Sequence, residues 1–247
     1  MKILDHGYVK FVDSFGSDES IIEAARMSTD KGFNAWGPIH ADDCPAGMPV
    51  EGRSNLCECT PKPGDEKLLR YLYEHKHMTP FEMAGMTLEV QAPIFVFREW
   101  HRHRTQSYNE LSARYTQLPD LYYVPSIERL MAAFQSASNK QSSEMGFAEP
   151  FAKDTQKAIA KHYESTRVLY ELFLQANVAR EVARVIVPVG QYSRMRASAN
   201  LRNWLAFLTL RVDPAAQWEI RQYAEAVSSI ISLRFPRTWD LWNEGRS

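Results

Sequence analysis

The hydrophobic period changes part-way along the chain, and that change limits the fold more than any other feature. Met86, Leu88 and Val90 alternate with Thr87 and Glu89, the period-two pattern of a half-buried strand. Later, Ile159, Tyr163, Thr166, Tyr170 and Phe173 step at helical spacing. A strand-bearing first half followed by a helical second half predicts an α+β fold. The 247 residues carry no internal repeat and no evident boundary, so a single domain is expected.

The same reading places further elements. Residues 7 to 12 predict a strand, and 18 to 27 a helix with Ile21, Ile22, Ala25 and Met27 inward, stopped by Gly32. Residues 33 to 64 hold five prolines, four glycines and all three cysteines, and are expected as an irregular insertion. Helix returns over 66 to 76. Thr79-Pro80-Phe81-Glu82 reads as a capping box opening a helix. Pro93 is expected to start a helix through Arg102, followed by a loop from Thr105 and an aromatic strand at 121–124. The serine-rich stretch 134–148 predicts a mobile loop. Helices are then expected over 183–187, over 197–211, and from the Asp213-Pro214 cap onward, with Trp218, Ala224, Val227 and Ile231 inward.

Charge is concentrated rather than spread. Residues 98 to 115 hold four arginines and two histidines against Glu99 and Glu110, while the whole chain carries a formal charge of −1. Arginine forks grip phosphate oxygens two at a time, and interleaved Ser, Asn and Glu suit a sugar or a base edge. The alternative is an exposed basic helix end. In an extended loop Glu110, Ser112 and Arg114 would point to one side. Ser112 lacks the flanking glycines of a nucleophile elbow, so a phosphate-ligand role is the more economical. Arg180 and Arg184 share a helix face. Arg184 lies inside the apolar run 182–187, where a buried charge needs a partner.

The near-neutral balance argues against a non-specific nucleic-acid binder. No apolar run is long enough for a transmembrane helix, no signal peptide opens the chain, and three cysteines fit a reducing cytoplasm. His40, Cys44, Cys57 and Cys59 offer four ligands, but the Cys57-x-Cys59 gap is too tight for usual zinc spacing. Free thiols are therefore expected and no metal. Neither a Walker A loop nor Gly-x-Gly-x-x-Gly is present.

Arg102-His103-Arg104, seven residues, then Ser112 resembles the defining motif of the flavin-dependent thymidylate synthases. The likeness runs through Tyr108-Asn109-Glu110-Leu111-Ser112 and Arg114-Tyr115. Ala25-Arg26-Met27-Ser28, His77 with Thr79 to Glu82, Ala183-Arg184-Val185 with Pro188, Asn200-Leu201-Arg202 and Leu210 to Ile220 resemble further family blocks in order. The resemblance implies a small, mostly antiparallel sheet packed with helices, and a homotetramer whose sites are shared between subunits. It also implies an activity: dTMP made from dUMP, with methylenetetrahydrofolate as one-carbon donor and NADPH reducing through FAD.

Carried over, Glu99, Arg102, Glu110, Ser112, Ala113, Arg114, Arg184 and Arg211 would contact dUMP. Arg211 would be the catalytic group, favouring an N3-ionised uracil electrostatically. Ser28, His77, Thr79, Arg102, His103, Arg104, Asn109, Glu110, Asn200, Arg202 and Ala206 would contact FAD. Glu99 stands where the family often has glutamine, and Ala206 where it often has asparagine. Two rival readings are a polyanion-binding module and a flavin- and nucleotide-binding protein that has lost synthesis.

Overall fold

The computed structural model describes residues 1–37, 63–135, 143–144 and 146–246. Its elements run β1 (Lys2–Ile3), β2 (Gly7–Phe15), α1 (Asp18–Arg26), α2 (Glu66–Glu74), β3 (Gly85–Pro93), α3 (Ile94–Trp100) and β4 (Ser107–Glu110). They continue as α4 (Ile127–Met131), β5 (Phe134–Gln135), β6 (Ser143–Glu144), α5 (Glu149–Gln175) and α6 (Arg180–Ala183). Last come β7 (Tyr192–Asn200), α7 (Leu201–Arg211), α8 (Trp218–Arg234) and α9 (Pro236–Glu244). The class is α+β, as the change of period implies.

The chain divides into two compact units. One comprises residues 1–13, 86–199 and 203–230; the other comprises the described parts of 14–85, 200–202 and 231–247. The chain passes between them inside continuous elements such as β2 and α7 rather than through linkers. Composition therefore leaves no mark at the crossings.

The first unit is built on a five-stranded sheet of order β1-β2-β3-β7-β4. The β1–β2 and β4–β7 ladders are antiparallel, with Lys2 opposite Tyr8 and Ser107 opposite Ser198. On β3, Met86, Leu88 and Val90 are buried, as their alternation requires. On β7, Met195 and Ala197 are buried while Arg194 and Arg196 are exposed. The core is aromatic. The ring of Trp100 lies 4.6 Å from that of Phe207 and 6.4 Å from those of Trp204 and Tyr223. Both indole nitrogens are satisfied, Trp204 by Met86 O at 3.0 Å and Trp100 by Gln106 Oε1 at 3.1 Å. Truncating such a buried ring typically costs about 3–5 kcal/mol.

The second unit gathers α1, α2 and α9. Ser17 caps α1 by accepting from Ser20 N at 3.3 Å. Asp18, 4% exposed, accepts from Arg237 N (2.9 Å), Thr238 N (3.2 Å) and Thr238 Oγ1 (2.6 Å) at the start of α9. Burial pushes its carboxyl above the ordinary range, and these donors work against that rise. Arg26 ion-pairs with the buried Asp65, which also accepts from Asn34 N at 2.7 Å. Gly16 has φ +65°, and a Cβ there would sit 2.4 Å from Met83 O. Only glycine fits that turn.

Several expectations are corrected. The span 197–211 is not all helix: the chain is a strand to Asn200 and turns helical at Leu201. The loop expected from Thr105 contains β4, which carries no apolar alternation and exists through its ladder to β7. The helix from Pro93 stops at Trp100, short of Arg102. Asp30, at φ 53° and ψ 45°, ends the α1 region in place of Gly32. Thr79 does not cap; Thr79–Met83 is one 3-10 turn, and Glu82 pairs with Arg202 instead.

The aromatic strand at 121–124 reduces to a single bridge, Tyr122 with Gln191. The helix at 183–187 is the end of α6 plus a 3-10 turn, Arg184–Ile186. Asp213 caps a turn, accepting from Ala215 N at 2.7 Å, and α8 starts at Trp218, which is half-buried. Within 134–148, β5 and β6 pair; residues 136–142 and 145 lie outside the described residues, as do 38–62 with His40 and the three cysteines.

Candidate functional site

Three backbone hydrogen bonds shape the site, one to β7 and two to the segment that leads into it. Leu111 N donates to Arg194 O at 2.8 Å just past β4. Ile94 N donates to Gln191 O at 3.0 Å and Phe95 N to Val189 O at 2.9 Å, fixing the start of α3. Between these segments opens a cavity of about 590 Å³. Glu110, Ser112, Ala113 and Arg184 line it, with Ile94, Leu111 and Val187 among its apolar walls. A cleft of this size, lined by apolar and polar groups together, suits a small-molecule ligand. A second cavity, about 420 Å³, shares Glu110, Leu111 and Ser112 and adds Asn109, Arg194 and Arg196.

Four of the expected nucleotide contacts are thus brought together, though not in the expected manner. The extended alternation from Glu110 to Arg114 fails at Ser112. There the chain turns, with Ser112 Oγ accepting from Arg114 N at 3.3 Å and Ser112 O from Tyr115 N at 3.0 Å. Arg114 leaves the cavity wall and pairs with Glu181 at 3.7 Å. Arg184 is exposed, as are Val182 at 56% and Val185 at 79%. An apolar neighbourhood in sequence therefore did not mean burial, because only Ala183 of this short helix turns inward.

Glu99, Arg102 and Arg211 do not line that cavity. Arg211, at the end of α7, is held at three points. Its Nε donates to His103 Nε2, one terminal nitrogen to Glu99 Oε2 and the other to Glu99 O, each at 2.9 Å. Burial first, and the Arg211 charge second, hold the His103 imidazole down at about 4. A neutral ring protonated on Nδ1 is what lets Nε2 accept from Arg211. Tyr108 on β4 ties the turn in place, its hydroxyl lying 2.8 Å from His103 O and 3.1 Å from Trp100 O.

The expected flavin contacts divide between the units. Arg102, His103, Arg104, Asn109, Glu110 and Ala206 belong to the first; Ser28, His77, Thr79, Asn200 and Arg202 belong to the second. Ser28, His77, Thr79, Arg102, Arg104, Asn109 and Ala206 are all exposed, and Asn200 is half-buried. Among the described residues, Arg98, Arg102, Arg104 and Arg184 form no ion pair. Unpaired guanidinium groups flanking His103 can grip an anion by charge and by fork geometry. Arg98 and Ser193 also line the larger cavity. Sequence reasoning gave neither a role: Arg98 was one charge among several, and Ser193 sits in the part of β7 to which no element was assigned. No three His, Cys, Asp or Glu side chains among the described residues are placed to hold a metal.

The comparisons with known proteins bear on this constellation. A model of the family described as thymidylate synthase complementing protein matches residues 10–237. The chain is 38% identical over 247 residues to the flavin-dependent thymidylate synthase of Wolbachia pipientis wMel, covering 98% of this chain and 76% of that one. It belongs to the flavin-dependent thymidylate synthase family. The enzyme of that name from Thermosipho africanus is 36% identical, with 97% and 92% covered. A Thermus thermophilus enzyme of the same name is also 36% identical, with 98% and 77% covered. Among solved structures, the UMP/dUMP methylase PolB from Streptomyces cacaoi, bound with 5-Br UMP, superposes with a TM-score of 0.77 at 29% identity. That match covers 98% of this chain and 96% of PolB. The family assigns flavin-dependent thymidylate synthesis to the chain.

Proposed function

We propose that this chain is a thymidylate synthase that makes dTMP from dUMP, taking the one-carbon unit from methylenetetrahydrofolate and its reducing equivalents from NADPH through FAD. The observation that carries the reading is the convergence of Glu110, Ser112, Ala113 and Arg184 on one cavity, with Arg184 free of any carboxylate among the described residues. Arg184 supplies charge to the dUMP phosphate, and Ser112 its hydroxyl. Arg211 faces the pyrimidine and stabilises negative charge developing on the ring. Glu99 and His103 hold it there in advance, which spares reorganisation when the charge appears. Arg102 and Arg104 bind the FAD pyrophosphate. The chemistry FAD supplies when bound is transfer of two electrons from NADPH to the one-carbon unit. No enzyme nucleophile is needed, in keeping with Ser112 lacking the flanking glycines of a nucleophile elbow.

Self-association as a homotetramer with shared sites, within the cytoplasm, completes the proposal. It is supported by Arg211 and Arg102 lying outside the wall that holds Arg184, and by the exposed Val182, Val185 and Leu172, the kind of surface that subunit contacts bury. On this reading the two units act together as one synthase domain. Among the described residues no helix is long and apolar enough to cross a membrane.

A drop-out assay tests the reading. FAD-loaded protein is given dUMP, methylenetetrahydrofolate and NADPH without oxygen, each omitted in turn, with UMP run beside dUMP. Product is expected only from the complete dUMP mixture, and not from Arg211→Ala. Product formed without folate or without NADPH would refute the proposed co-substrates, and turnover of UMP alone would refute the proposed substrate.

A further inference from the structure

One residue that lines the larger cavity carries a hydroxyl with nothing to do. Ser193 is 0% exposed and its Oγ finds no hydrogen-bond partner among the described residues. It stands near the start of β7 beside the buried Tyr192, on a strand whose other buried positions are Met195, Ala197 and Ala199. Alanine at 193 would spare the chain the cost of an unpaired buried hydroxyl. Ser193 nevertheless lines the cavity that Ser112 and Arg184 line. The link from Leu111 N to Arg194 O at 2.8 Å makes Ser112 and Ser193 flank the same backbone hydrogen bond.

Arg98 lines this cavity too, one helical turn beyond Ile94, which is itself fixed to Gln191 and also faces the cavity. It is exposed and forms no ion pair among the described residues. Two carboxylates share the wall, Glu110 and Glu181, and Glu181 is taken up by Arg114 at 3.7 Å. Arg98 and Arg184 thus stand against Glu110 alone, which leaves net positive charge beside an unsatisfied donor. That combination suits a phosphate dianion, which offers several acceptor oxygens and two charges.

We propose that Ser193 and Arg98 are substrate-binding residues, Ser193 donating its hydroxyl to the phosphomonoester of the nucleotide and Arg98 pairing with it alongside Arg184. The assignment rests on the nucleotide reading above and extends it to two residues to which no sequence pattern assigned a contact.

The test uses full-length, FAD-loaded protein, with dUMP and separately inorganic phosphate titrated by calorimetry into wild type, Ser193→Ala and Arg98→Gln. Loss of one hydrogen bond to a charged group corresponds to roughly tenfold in affinity. Ser193→Ala is expected to raise the dUMP Kd about tenfold while the Tm of the nucleotide-free protein stays level or rises. Arg98→Gln is expected to weaken dUMP at least as much and to flatten the dependence on salt. Affinities within twofold of wild type in both variants would overturn the assignment while leaving the nucleotide reading intact. So would a fall in Tm with loss of flavin and no change in Kd, the mark of a structural role. Wild type binding inorganic phosphate but not dUMP, with both variants weakened, would keep the anion subsite and sink the nucleotide reading. Binding of neither ligand by wild type would sink both. If Ser193→Ala does not fold, Ser193→Cys, close in shape and a weak donor, takes its place with the same expected loss.

Discussion

Protonating His103 should loosen the grip on Arg211, and the structure gives the size of the effect. In the folded protein the imidazole is held at about 4, against 6.5 for an ordinary histidine. That difference corresponds to a preference of about 3 kcal/mol for the neutral ring. The unfolded chain takes up this proton near 6.5, the folded one only near 4. The contribution is therefore complete above pH 6.5 and lost as pH falls toward 4. Between pH 7 and pH 5 the loss is about 2 kcal/mol. Asp18, whose carboxyl is raised by burial, pulls the other way on acidification, so a reference variant is needed. His103→Gln keeps an acceptor for Arg211 Nε and does not titrate. Urea unfolding at pH 7 and pH 5 should show wild type losing about 2 kcal/mol more than the variant, and NMR should find the His103 ring neutral at pH 5. Equal losses in the two proteins, or a ring that titrates at 6.5 or above, would refute the reasoning.

Two other perturbations test the second unit. Arg26→Ala strands the carboxylate of Asp65, 1% exposed, and should cost about 3–5 kcal/mol, whereas Arg70→Ala breaks an exposed pair with Glu244 and should cost less than about 1 kcal/mol; denaturant midpoints distinguish them. Gly16→Ala forces a Cβ to 2.4 Å from Met83 O at φ +65°, so a loss of about 2 kcal/mol or more is expected, seen as a Tm several degrees lower.

What could be read in the sequence depended on whether local pattern and tertiary environment agreed. Met86, Leu88 and Val90 alternate cleanly because one face of β3 meets the core, and the strand lies where the pattern put it. The strand β7 was hidden. Arg194, Met195, Arg196 and Ala197 are good helix formers, and what makes them a strand is the ladder to β4, a partner more than 80 residues earlier. That partner, Ser107 to Glu110, has no apolar alternation to betray it. The candidate site shows the same division. The segment carrying Glu110, Ser112 and Ala113, which lines the cavity, was legible from its charges as a candidate anion-binding stretch. The hold of Glu99 and His103 on Arg211 was not, since it joins α7 to a turn about 108 residues away in sequence. Ser193 was silent for the simplest reason: one serine carries no pattern, and only burial without a partner makes it conspicuous.

The most direct measurement follows one carbon atom. FAD-loaded protein is incubated anaerobically with dUMP, NADPH and methylenetetrahydrofolate labelled at the methylene carbon, and the nucleotides are read by chromatography and mass spectrometry. The account predicts dTMP carrying one labelled carbon, formed by wild type and not by Arg211→Ala. Flavin reduced by NADPH, dUMP bound, and no C5-methylated nucleotide would contradict it.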